Sequence, residues 1–158
     1  LKFKRYNMIT IDEFKNKITN KSRLLGLDLG SKRIGVSICD EKRLVATPFK
    51  TIDVEKLSNT INILKNIISE NNIKGIIVGY PINMDGSKGP SSQSVIDKVE
   101  KISNEINLPI VLWDERLSTV GAFNLSSQLD VNVSKRTRNI DKNAAAFILQ
   151  GAIDYLNN

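Results

Sequence analysis

The stretch Leu24 to Gly35, L-L-G-L-D-L-G-S-K-R-I-G, decides how this chain is read. Apolar residues and glycine lead into Asp28, which has leucine on both sides, the pattern of a buried central strand carrying one acid. An unpaired buried charge is strongly destabilising, so Asp28 needs a partner or a task. The plain alternative is a strand-end aspartate that caps a turn at Gly30-Ser31. Beyond that turn Ile34, Val36 and Ile38 alternate with Gly35, Ser37 and Cys39, which predicts a second strand folded back on the first.

Downstream, Asp40-Glu41-Lys42 turns the chain into a third strand over Leu44 to Ile52, where Pro48 removes a ladder donor and assigns the strand to a sheet edge. The period then changes. Leu57, Ile61, Leu64, Ile67 and Ile68 recur as on a helix, and Gly75-Ile76-Ile77-Val78-Gly79 is the continuous apolar run of a strand covered on both faces. A turn-rich loop from Tyr80 to Pro90 precedes a helix marked by Val95, Val99, Ile102 and Ile106, and Pro109 to Trp113 is the fifth strand. Helices are expected from about Ser118 to Leu129 and from about Asp141 to the end, separated by a basic loop. The fold class is therefore α/β: a five-stranded mixed sheet, order 3-2-1-4-5 with right-handed crossovers, and helices on both faces.

Upstream, residues 1–23 read as a basic N-terminal extension, and residues 24–158 as one domain. Thr10-Ile11-Asp12-Glu13 fits a capping box, and Ile11, Phe14 and Ile18 share a face, so a short helix is expected there, on a solvated, weakly docked segment. The net charge of +6 is concentrated at this end: residues 1–24 hold seven Lys or Arg against two acids, the rest 16 against 15. Global charge is thus weak support for a polyanionic partner, and local clusters must carry that argument. No run of 18 apolar residues and no apolar leader occur, so a soluble cytoplasmic protein with no membrane partner is expected. One cysteine and no histidine exclude a Cys/His zinc site and a His-dependent triad, leaving oxygen donors for any metal.

In such a sheet, ligands gather at the carboxyl ends of the central parallel strands. Asp28 ends the first strand there, Asp114 and Glu115 follow the fifth, and Asp141 precedes Ala145 by one helical turn. Clustered carboxylates without His or a second Cys call for Mg²⁺ or Mn²⁺, the ions used for in-line attack on a phosphodiester. Lys135, Arg136, Arg138 and Lys142 would set phosphate donors beside them, with Asn83, Ser87, Ser91 and Ser92 in the earlier loop. Each has a structural reading too: Asp114 and Glu115 as surface partners of Arg116, Asp141 as a helix cap, the basic run as a solvated turn, Trp113 as core. Gly26 and Gly30 flank Asp28 and are expected to leave room for ions and a phosphate backbone.

Four ordered blocks, G-L-D-L-G-S-K-R-I-G-V-S at 26–37, V-G-Y-P-I-N-M-D-G-S-K-G-P at 78–90, D-E-R-L-S-T at 114–119 and I-D-K-N-A-A-A-F-I-L-Q at 140–150, resemble the YqgF (RuvX-like) family. The resemblance runs from about Leu24 to Leu156. It implies a ribonuclease H-like fold and a metal-dependent nuclease, described for the family both as maturing the 16S ribosomal RNA precursor and as resolving Holliday junctions. Carried over by motif, Asp28, Glu115 and Asp141 are the catalytic and metal-binding acids, with Asp114 a further candidate ligand. Lys32, Arg33, Asn83, Ser87, Arg116, Lys135, Arg136 and Arg138 are the expected nucleic-acid contacts. Tyr80 stands where leucine is usual, and Ser91-Ser92 where a larger residue is common. The expected partners are structured RNA or branched DNA, with ribosome or pre-ribosome association, acting as a monomer or homodimer. Two other classes are compatible with parts of the pattern: a phosphotransferase sharing the D-x-G strand turn, which needs two such domains around a cleft, and a non-catalytic nucleic-acid-binding or ribosome-associated module whose acids are structural.

Overall fold

The computed structural model describes residues 8–18, 22–81, 86, 88–115 and 133–158, with side chains of the last helix described from residue 142 onward. Two hairpin turns and two crossovers set its topology. Strands β2 (Arg23–Leu29), β3 (Arg33–Cys39) and β4 (Ala46–Asp53) form an antiparallel meander. Helix α2 (Leu57–Asn71) then carries the chain to β5 (Ile73–Tyr80), parallel to β2, and α3 (Pro90–Glu105) carries it to β6 (Ile110–Asp114), parallel to β5. The C-terminal helix α4 spans Val133–Leu156.

The five expected strands stand in the expected order, and β4 is the edge that Pro48 requires, with the register shifting between Val36 and Ser37 as Ser37 comes opposite Pro48. The strand count is corrected to six. Met8–Ile9 forms β1 and pairs parallel with β6 at the other edge. Helix α1 (Ile11–Lys17) follows behind the Thr10/Glu13 capping box, and its Phe14 is fully buried. Residues 8–17 are therefore docked rather than solvated. The reason lies in Gly75: a Cβ there would collide with the Phe14 ring, so the glycine opens the socket that the aromatic fills.

Strand alternation divides the core in two. Leu25, Leu27, Ile76, Val78 and Ile110 pack against α2 and α3, while Leu24, Ile77, Val111 and Trp113 pack against α1 and α4. Trp113 belongs to this second core, as expected, with its ring 5.9 Å edge-on from Tyr155. No described helix is long and apolar enough to cross a membrane.

Candidate active site at the strand carboxyl ends

Along β2 the alternation that turns Leu24 and Gly26 toward α4 also turns Asp28 that way. Gly26 is the contact point of helix and sheet. A Cβ on it would lie 2.7 Å from Leu149 Cβ and 2.9 Å from the Ala145 carbonyl oxygen, so only glycine lets α4 sit this low. The buried Ser37 hydroxyl donates to the same Ala145 oxygen at 2.8 Å and ties the helix to β3. Gly30 admits the Arg33 carbonyl oxygen where a Cβ would stand, which closes the turn after Asp28. Both glycines thus serve packing, which corrects the expectation that they leave room for ions.

On β5, Gly79 makes way for Ile148 of α4, whose Cδ1 would collide with a Cβ there, and for Glu115. Its Cβ position lies 3.1 Å from Glu115 Oε1, so the Glu115 carboxyl rests over this glycine, on the α4 face. Leu27 pairs with Val78, which makes Gly79 the neighbour of Asp28 across the β2–β5 ladder. Asp28 and Glu115 therefore lie on one face at the ends of β2 and β6, with Gly79 of β5 between them. Asp114, opposite Tyr80 in register, follows Trp113 in the alternation and turns to the α3 side. The tertiary arrangement thus separates the two acids of the D-E-R block.

Electrostatics record this convergence. Glu115 is pushed up to about 7, first by burial, then by the negative charges of Asp28 and Asp114. Both aspartates carry further interactions of their own. Among the described residues no three His, Cys, Asp or Glu side chains are grouped tightly enough to hold a metal ion. Asp141 lies within α4, one turn before Ala145, and its side chain is outside the described residues. Its backbone corrects the reading of Asp141 as a helix cap, because α4 begins at Val133.

The same start corrects the basic loop: Lys135, Arg136 and Arg138 are on helical backbone, their side chains outside the described residues. Lys32 is exposed in the β2–β3 turn, where its carbonyl accepts from Val54 at 2.9 Å, and Arg33 is half-buried at the start of β3. Asn83, Ser87, Arg116 and the helix expected from Ser118 to Leu129 lie outside the described residues. Sequence reasoning missed Gly79 and Lys98, whose Nζ donates to the Gly30 carbonyl at 3.1 Å. A glycine closing an apolar strand run was the available signal for the first; nothing in the sequence marked the second.

Compared with known proteins, residues 22–155 match the family model described as RuvX, Holliday junction resolvase. A Pelagibacter ubique protein named "Putative pre-16S rRNA nuclease" is 70% identical over 151 residues, covering 96% of this chain and 100% of the relative. A Rhodobacter capsulatus protein of the same name is 42% identical, covering 92% of each. Among solved structures, Thermus thermophilus RuvC superposes with a TM-score of 0.55 at 9% identity, covering 84% of this chain and 95% of that one. RuvC in complex with a Holliday junction gives 0.52 at 11% identity, covering 85% and 94%. At these identities the likeness is one of fold.

Proposed function

The chain belongs to the RuvX family, and from that membership and the carboxylates at its strand ends we propose that it is a nuclease hydrolysing phosphodiester bonds of the 16S ribosomal RNA precursor. The observation that carries this reading is Glu115 lying over Gly79 beside Asp28. Two acids brought together on one half-buried face, one of them held near neutrality in its titration, are arranged for an incoming positive charge rather than for stability.

The donor set fits a hard divalent cation, Mg²⁺ or Mn²⁺: the available ligands are carboxylate oxygens, and their mutual repulsion is what such an ion relieves. Asp28 and Glu115 would hold it, with Asp141 joining from α4, while Asp114, turned to the α3 side, adds negative charge nearby rather than a ligand. A bound divalent ion supplies Lewis-acid polarisation of the phosphate and neutralises charge developing on its oxygens. The chain's own contribution is placement. Asp28 is fixed by the β2–β3 hairpin and Glu115 by the end of β6, while Lys98 locks the turn behind Asp28. Lys32, Arg33, Asn83, Ser87, Arg116, Lys135, Arg136 and Arg138 are proposed to hold the substrate backbone. Cytoplasmic action on pre-ribosomal particles follows from this reading.

A second reading, resolution of branched DNA, is favoured by the family's description. One experiment separates the two. A 16S precursor fragment and a four-way DNA junction are offered side by side with Mg²⁺, Mn²⁺ or EDTA to wild type and Asp28→Asn. Divalent-dependent cleavage of the RNA fragment, abolished in the variant while it remains cooperatively folded, is expected. Cleavage undiminished by the substitution overturns the site, and binding without cleavage under every metal condition makes the protein a non-catalytic module.

A further inference from the structure

The exposed side of α3 carries a groove that the carboxylate site does not use. Two clefts lie end to end on it, sharing Pro90 and Gln93. The first, about 530 Å³, is bordered by Tyr80, Lys88 and Ile96. The second, about 440 Å³, is bordered by Ser94, Asp97, Lys98 and Lys101. Three lysines thus face one acid, and the Asp97 carboxylate is already engaged by Gln93 Nε2 at 2.9 Å. Both parts of the groove are tied to the acid-bearing strands. Lys88 Nζ stands 5.8 Å from the centre of the Tyr80 ring, and Tyr80 is the register partner of Asp114. Lys98 donates to Gly30, two residues beyond Asp28.

We propose that this α3 groove is the track a nucleic-acid strand follows after crossing the carboxyl-end edge of the sheet from the carboxylate face, Lys88 and Lys101 contacting its phosphates and the Tyr80 cleft receiving one nucleotide. The inference rests on the nuclease reading and adds to it the path of the strand. From Pro90 to Lys101 a helix rises about 16 Å, the length of roughly five nucleotides of a stacked strand at about 3.4 Å each. The chemistry suits a nucleic-acid strand: flexible ammonium groups are spaced along an open trough to meet phosphates, and the apolar surface of Tyr80, Pro90 and Ile96 offers a base a face to stack on.

The test is the affinity of a fluorescein-labelled 16S precursor fragment for the full chain in EDTA, followed by anisotropy across a salt series. Lys88→Ala/Lys101→Ala is compared with wild type and with Lys50→Ala/Lys74→Ala, which removes the same charge from β4 and the start of β5. The groove pair is expected to bind about tenfold or more weakly, with a salt slope smaller by about 1.4, two phosphate contacts at roughly 0.7 each on a single strand. The control pair is expected to stay within twofold of wild type. Wild-type affinity and slope in the groove pair, or an equal loss in the control pair, overturns the track. Failure of the nuclease reading shows separately, as wild type that binds the fragment but does not cleave it with Mg²⁺ or Mn²⁺.

Discussion

Glu115 is the residue whose surroundings say most about the site. Its carboxyl is pushed from the ordinary 4.5 to about 7, mainly by burial and then by Asp28 and Asp114. The folded protein therefore holds a proton that the unfolded chain releases between these two values. Above pH 7 the ionised carboxylate carries its whole penalty in the folded state, and the penalty disappears as pH falls toward 4.5. After discounting for its partial exposure, the effect is on the order of 2 kcal/mol. In EDTA, Glu115→Gln is expected to melt about 4–8 °C above wild type at pH 8 and to match it near pH 5. Melting curves that run parallel over this range would falsify the placement of Glu115. At this scale the acids were legible in the sequence, because an acid amid apolar strand residues is costly wherever it is. That Glu115 and not Asp114 shares the face of Asp28 was not legible, since it depends on where β6 ends relative to Gly79.

Among the elements, α1 shows how a short amphipathic segment becomes part of a core. Its capping box and apolar face were readable from Thr10 to Ile18, but seven residues of helix are marginal alone, so the sequence pointed to weak docking. Burial of Phe14 in the socket over Gly75 reverses that. Phe14→Ala is expected to cost about 3–5 kcal/mol, a fall in melting temperature of about 6–20 °C for a chain of this size. A fall under about 2 °C would mean that α1 is peripheral after all. Helix α4 presents the converse case. Its polar first third, V-S-K-R-T-R-N-I, has no apolar stripe for periodicity to detect, so periodicity starts the helix near the alanines and puts Asp141 at a cap.

At the scale of the whole molecule, the six strands bring carboxylates from chain positions far apart to one end of the sheet, and their repulsion is borne by the stability of the entire domain. An ion that binds only the folded state should return that stability by mass action, about 2.7 kcal/mol at a hundredfold excess over its dissociation constant. Mg²⁺ or Mn²⁺ at pH 8 is therefore expected to raise the melting temperature by about 5–10 °C in wild type and by much less in Asp28→Asn. Equal shifts in the two proteins would place the ion elsewhere. The sequence by itself determined five of the six strands, their order, the Pro48 edge and the candidate acids, because hydrophobic period, turn chemistry and the expense of buried charge are local properties. Tertiary structure alone decided that Met8–Ile9 completes the sheet, that Gly26 and Gly75 are sockets for α4 and Phe14, and that Gly79 makes the space over which Glu115 meets Asp28. Those depend on contacts between residues distant in the chain, where the absence of one side chain is given its meaning by the atom that fills the space.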